Sequence, residues 1–299
     1  MATAKDYLKL HFIVFLWGFT ATLGKLVTIP SVEMVFYRSL LAAFGMAVLI
    51  VMTRGRFKIE ANDLLKLLAT GCIVAIHWLT FFASGRVSNP SISLVGFATC
   101  SFWAAILEPL AKRKNIQPLE IGLGLVVLLG LYIIYSFNFQ YPMGLFLGIV
   151  SGLTAALFSI INSKMISKVA ATTITFYEMT GATFCTLLFF PVYQHFWADN
   201  SSLQLVPEPM DWVYIIIMAL ACSVYAYTAA INLMKKLSVF YIQLTLNLEP
   251  LYGIILALLV FGEQEVMGMS FYIGTLIILS AVAFYPYLKK KFEVYSFWF

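Results

Sequence analysis

Ten apolar segments dominate this chain, at about 10–28, 32–52, 63–84, 90–110, 118–136, 142–163, 170–194, 211–234, 239–261 and 268–288. A helix that crosses a bilayer needs ~20 predominantly apolar residues. In lipid every backbone polar group must find its partner inside the protein, which restricts such segments to helices. The breaks carry turn chemistry: Ile29-Pro30-Ser31, Arg54-Gly55-Arg56, Ser88-Asn89-Pro90, Gln117-Pro118, Tyr141-Pro142 and Pro207-Glu208-Pro209. Composition agrees, with 62% hydrophobic and 11% charged residues in 299, against about 45–50% and 25% in soluble domains. The expected fold class is an all-α integral membrane protein with ten transmembrane helices.

Basic residues give the orientation. With the N-terminus placed in the cytoplasm, sixteen of the nineteen Lys and Arg residues fall on the inner side. They are Lys5, Lys9, Arg54, Arg56, Lys58, Lys66, Lys112, Arg113, Lys114, Lys164, Lys168, Lys235, Lys236, Lys289, Lys290 and Lys291. Lys25, Arg38 and Arg86 are the exceptions. Such a bias in short loops predicts an N-in, C-in, multi-pass protein of the inner (plasma) membrane. An odd number of missed helices would scramble it. The net charge of +5 is therefore a topology signal, and no nucleic-acid partner is expected. The apolar run after Lys5 and Lys9 continues past Trp17 without a small-x-small cleavage site, so it reads as a retained helix. Cys72, Cys100, Cys185 and Cys222 lie in apolar runs without metal-ligand spacing.

An internal repeat runs through the chain. Phe36-Tyr37-Arg38 in segment 2 matches Phe176-Tyr177-Glu178 in segment 7, and Gly122 to Tyr135 resembles Gly274 to Tyr287. The offsets differ by the length of an insertion in the longest outer loop, about His195 to Asp211. Five helices per half is an odd number, so the halves enter from opposite sides. The expectation is two inverted five-helix repeats, 1–137 and 138–299, as in many secondary transporters. Leu107-Glu108-Pro109-Leu110 and Leu248-Glu249-Pro250-Leu251 share a tetrapeptide but not the repeat offset, so Glu108 and Glu249 are not equivalents.

Segment 9 holds the sharpest anomaly, Glu249-Pro250 near its middle. A carboxylate there costs about 2.5–3.5 kcal/mol on insertion scales, and proline removes the donor for the Leu246 carbonyl. Thr245, Glu249 and Tyr252 share one face, while Gln243 and Asn247 lie about 200° from Glu249 on an ideal helix. Both lines meet one cavity only if the helix is distorted near Pro250. The bland alternative makes Glu249 a cap for a neighbouring helix. Segment 6 carries a stripe of Gly144, Gly148, Gly152, Ala155, Ser159 and Asn162, read as either close helix packing or a substrate path. Segment 3 presents His77, Trp78, Thr80, Phe81 and Ser84; His77 is either an interhelical hydrogen-bonding group or a ligand or protonation site. Phe97, Ser101, Trp103 and Glu108 in segment 4, Tyr225, Thr228 and Asn232 in segment 8, and Trp17 and Thr20 in segment 1 complete the candidates. Arg38, Glu108 and Glu178 are candidate gating or coupling residues, each with a pairing role at a helix end as its alternative.

Catalysis is poorly supported. The histidines are His11, His77 and His195, and no HExxH, GxSxG, P-loop or paired-carboxylate motif is present. No cofactor, no metal and no enzyme activity are expected.

Trp17-Gly18, Phe36-Tyr37-Arg38 with Ala42-Ala43, Leu248-Glu249-Pro250-Leu251-Tyr252-Gly253, Phe261-Gly262-Glu263 and Gly274 together resemble the EamA-type, ten-helix branch of the drug/metabolite transporter superfamily. The resemblance spans nearly the whole chain. It implies a central cavity lined by segments 1, 3, 4, 6, 8 and 9, alternating access, and export of small metabolites such as amino acids. Lipid-linked carrier flipping and multidrug export are the alternatives. This chain departs from the family pattern with Gln243, Asn247 and Glu249 early in segment 9, and with Arg113 where the first repeat would carry a Gly-Glu pair. The expected substrate-binding set is Trp17, His77, Trp78, Phe81, Ser101, Trp103, Ser159, Asn162, Tyr225, Asn247 and Glu249. A small-molecule substrate, the lipid bilayer and protons are the expected partners.

Overall fold

The computed structural model describes residues 2–137, 141–198 and 202–295. The expected boundary between halves abuts 138–140, outside the described residues, as are the side chains of Lys289, Lys290 and Lys291. The order is α1 (Ala4–Gly18), α2 (Thr20–Leu26), α3 (Ser31–Met52), α4 (Ala61–Val87), α5 (Pro90–Phe97), α6 (Cys100–Lys112), α7 (Pro118–Phe137), α8 (Pro142–Met165), α9 (Ala171–Phe196), α10 (Pro209–Ile217), a π-helical stretch (Met218–Tyr227), α11 (Thr228–Leu233), α12 (Val239–Leu246), α13 (Glu249–Phe261), a short 3-10 turn (Gly262–Glu265) and α14 (Met269–Tyr295). Among the described residues there is no strand.

Local chemistry sets these bounds. Pro90, Pro118, Pro142 and Pro209 open their helices, where the missing N–H is harmless. Asn89 caps α5 by accepting from the Ile92 N–H at 2.9 Å, and the Ser238 hydroxyl caps α12 through the Tyr241 N–H at 3.2 Å. Seven stretches among the described residues are long and apolar enough to cross a membrane, and α7 and α14 hold shorter apolar runs. Helix α9 is 26 residues long yet rich in threonine. Its Thr175, Thr180, Thr183 and Thr186 hydroxyls donate to carbonyls one turn back, which lets polar side chains lie in an apolar setting.

Three of the long apolar runs are broken: at Phe19 between α1 and α2, at Ala98-Thr99 between α5 and α6, and at Asn247-Leu248 between α12 and α13. The last is the distortion expected beside Pro250. Helix α4 packs along α8 and α9, α3 along α9, α5 and α6 along α8, and α7 along α14. Glycines permit the closest crossings. A Cβ at Gly96 would lie 2.8 Å from the Gly148 Cα, and one at Gly148 would lie 2.9 Å from the Gly96 Cα. The glycine half of the segment 6 stripe is thus a helix contact, while Ala155, Ser159 and Asn162 further along face a cavity.

Candidate functional site

The cavity lies where the broken helices meet the rest of the bundle. Atom-free space in and before it, open mouth included, amounts to about 710 Å³. Aromatic walls come from Trp17 of α1, His77, Trp78 and Phe81 of α4, Phe97 of α5, Phe158 of α8 and Tyr227 of the π-helical stretch. Ile231, Met234, Ile242 and Leu246 add aliphatic surface. The further polar side chains are Thr20, Arg38, Ser159, Asn162, Gln243 and Glu249.

Each polar group is held by its own local structure. With no N–H at Pro250, the chain leaves the helix at Asn247-Leu248 and restarts at Glu249, in the first turn of α13. This places Gln243 and Glu249 on one cavity wall. Glu249 is 4% exposed, and among the described residues its carboxylate has no hydrogen bond or ion pair. Arg38 enters from α3 and is 3% exposed. Its Nε–H donates to the Ser223 hydroxyl at 3.0 Å, and its guanidinium carbon sits 4.0 Å from the Trp78 ring centroid, a cation–π arrangement. Gln243 donates to the Ser159 hydroxyl at 2.7 Å. The Trp17 indole N–H donates to the Cys222 carbonyl at 2.9 Å, fixing α1 to the π-helical stretch. His77 Nδ1 meets both the Ser151 carbonyl at 3.0 Å and the Ser151 hydroxyl at 2.8 Å. One tautomer donates to the carbonyl and the other accepts from the hydroxyl, so the ring stays fixed in either form.

Of the expected binding residues, Trp17, His77, Trp78, Phe81, Ser159, Asn162 and Glu249 line this cavity. Ser101, Trp103, Tyr225 and Asn247 are not among its lining residues. Ser101 and Asn247 are fully buried and bonded to each other, Asn247 Nδ2 donating to the Ser101 hydroxyl at 2.9 Å. They tie the break in segment 4 to the break in segment 9. Trp103 packs against the Ala104, Ala156, Ile160 and Val239 cluster. Tyr225 is 45% exposed and sets its ring edge-on to Phe12. The reason is the π-helical winding, which stacks residues five apart. Cys222 and Tyr227 therefore share the cavity face, and the Tyr225, Thr228 and Asn232 line expected from an ideal helix does not form there.

The three candidate gating residues separate. Arg38 lines the cavity. Glu178 lies behind its wall, fully buried, with one oxygen accepting from Tyr227 Oη at 2.9 Å and Asn162 Nδ2 at 3.2 Å. Glu108 caps α12, accepting from the Val239 and Phe240 N–H groups at 3.1 and 2.7 Å and pairing with Lys112 at 2.7 Å. Phe158, Cys222 and Tyr227 line the cavity without having been expected there. Phe158 was legible only as the neighbour of Ser159, and the other two only with knowledge of the π-helical winding.

A helical membrane protein that encloses a small-molecule cavity at the breaks of its own helices has the build of a transport protein. The chain belongs to the EamA-like transporter family, whose model matches residues 7–136 and again residues 142–285. No curated protein matches the sequence. Among solved structures, one described as "Crystal structure of protein" is 12% identical, with 94% of this chain and 97% of that chain covered and a TM-score of 0.70. That likeness concerns the fold. The protein is a multi-pass membrane transporter with a small-molecule substrate.

Proposed function

We propose that the protein exports small metabolites, amino acids foremost, by alternating access. The observation that carries this reading is Glu249, a buried carboxylate without a protein partner on the wall of an otherwise aromatic cavity. An unpaired charge in that position is costly, and a cationic group on the substrate offsets the cost. A phosphorylated sugar would require several basic residues, and among the described residues Arg38 is the one Lys or Arg on the cavity wall.

In this reading ten helices cross the inner (plasma) membrane with both termini in the cytoplasm, and the halves 1–137 and 138–299 are inverted repeats. Supporting it, the family model matches twice, and the breaks at Ala98-Thr99 and Asn247-Leu248 fall at similar depths of their matches. Paired interruptions of this kind mark substrate sites in inverted-repeat transporters. Rocking of one half against the other around the Ser101–Asn247 link then exposes the cavity to each side in turn. In this reading protons are the coupling ion, with Glu249 or His77 of the cavity wall as the group that carries them.

The test is flux in proteoliposomes across a panel of amino acids, sugar phosphates and nucleotide sugars. Saturable, counterflow-competent movement of amino acids is expected. Movement of sugar phosphates or nucleotide sugars alone would overturn the substrate class.

A further inference from the structure

Arg38 and Glu249 face the same cavity, are each at least nine-tenths buried, and do not pair with each other: no ion pair within 4.0 Å joins them. Two opposite charges in a small apolar space would ordinarily close onto one another, because an unpaired buried charge costs far more than a paired one. Here each is restrained. Arg38 is held by its Nε–H bond to Ser223 and by the Trp78 ring beneath it. The backbone at Glu249 is set by the restart of the helix at the first turn of α13, where the helix dipole favours a negative charge.

The restraint leaves specific atoms free. Of the guanidinium N–H groups only the Nε one has an acceptor among the described residues. The edge formed by Nη1 and Nη2 is open, and that edge matches a carboxylate in bidentate geometry. Both Glu249 oxygens are likewise open acceptors. Trp17, Phe81, Phe97 and Phe158 line the same cavity and offer apolar surface but no further charge.

We infer that Arg38 and Glu249 form a two-point site for a zwitterion. The substrate carboxylate sits on the Nη edge of Arg38, its ammonium sits on Glu249, and its apolar side chain lies among the aromatic rings. The inference rests on the amino-acid export reading and adds to it the pose, the partner of each charge, and a preference for apolar side chains. It also gives Arg38 a different task from holding a gate. A ligand with only one of the two charges leaves the other protein charge buried and unpaired, so discrimination against it is large.

The test uses the full-length protein in nanodiscs for binding and in proteoliposomes for counterflow. The probes are L-phenylalanine, L-phenylalaninamide, which lacks the carboxylate, and 3-phenylpropanoate, which lacks the ammonium. Wild type is expected to bind L-phenylalanine at least tenfold more tightly than either analogue. Arg38→Gln should weaken L-phenylalanine tenfold or more and leave the amide within about twofold. Glu249→Gln should spare 3-phenylpropanoate in the same way, and Arg38→Lys should recover part of the lost affinity. Equal binding of L-phenylalanine and its amide by wild type, or equal weakening of all three probes by Arg38→Gln, would overturn the two-point site while leaving amino-acid export standing. Transport of none of the three, with sugar phosphates or nucleotide sugars moving and no amino acid of the panel, would remove the export reading itself. Melting temperature and monodispersity separate a misfolded Arg38→Gln from a specific loss, and Arg38→Lys supplies the readout if Arg38→Gln does not fold.

Discussion

Glu178 illustrates how a membrane-buried carboxylate is tolerated without a cation. One oxygen takes hydrogen bonds from Tyr227 and Asn162, and the other has no partner among the described residues. Its stability therefore leans on two neutral donors. Removing one donor from a buried acceptor costs on the order of 1–3 kcal/mol. Tyr227→Phe is expected to lower the unfolding midpoint in detergent by several degrees, read by scanning fluorimetry. The same substitution in a Glu178→Gln background should cost clearly less, because the two substitutions disturb the same interaction. Glu108 offers a second residue-scale test. Its carboxylate accepts from two N–H groups at the start of α12, whereas its partner Lys112 is only partly buried. Loss of a helix cap costs about 0.5–2 kcal/mol, while a partly exposed ion pair contributes little. Glu108→Ala should destabilise measurably and Lys112→Ala should fall within error on the same melt.

At the scale of elements, the segment boundaries and the break beside Pro250 were legible because they follow from local chemistry. A missing N–H acts on its own helix wherever that helix is placed. The break at Ala98-Thr99 was not legible, since no proline stands there; Pro109 lies further on, inside α6. That break goes with a tertiary fit, the backbone of Gly96 lying against Gly148. The π-helical winding of Met218–Tyr227 was equally hidden, and it moved Tyr225 out of the site and Tyr227 in. Seven of the expected binding residues do reach the cavity, because depth along a helix is readable from sequence even where its rotation is not. The shared Leu-Glu-Pro-Leu tetrapeptide makes the same point. Its proline opens α13 in one copy and sits inside α6 in the other, so identical residues serve a cavity wall and a helix cap. The Gly96–Gly148 crossing can be tested directly. Gly148→Val should force α5 and α8 apart, lowering the yield of monodisperse protein and the melting midpoint. Gly122→Ala, where an added Cβ meets nothing within 4 Å, should change neither.

The whole molecule carries a polar seal at one end of the bundle. Arg86 donates to the carbonyls of Gly24, Val27 and Ile29 at 3.2, 2.8 and 2.7 Å. Asp211 accepts from the Thr28 N–H and hydroxyl at 2.8 and 2.6 Å, and Glu33 accepts from the Gln204 N–H at 3.1 Å. These bonds join the α2–α3 connection to the end of α4 and to the first turn of α10, and α3 to the segment before α10, so they tie the first half of the chain to the second. They also account for Arg86 as a basic residue outside the charge pattern. On the other side of the seal, Asn162, Met234 and Ile242 place the cavity near the end of α8, the end of α11 and the start of α12, which the proposed topology puts at the cytoplasm. Under the proposed topology and alternating access this state is inward-facing, and the seal is what the proposed outward-facing state must break. Charge-assisted hydrogen bonds contribute about 1.5–3 kcal/mol each, and ~1.4 kcal/mol shifts an equilibrium tenfold. Arg86→Ala should therefore shift the population outward by about tenfold or more. A cysteine-free variant carrying Met234→Cys reports the shift, because Met234 is a partly exposed residue of the cavity wall. A membrane-impermeant maleimide applied to inside-out vesicles should label that position readily, and Arg86→Ala should slow the labelling several-fold. An unchanged rate would show that the seal does not hold the inward-facing state, and labelling only in right-side-out vesicles would reverse the topology.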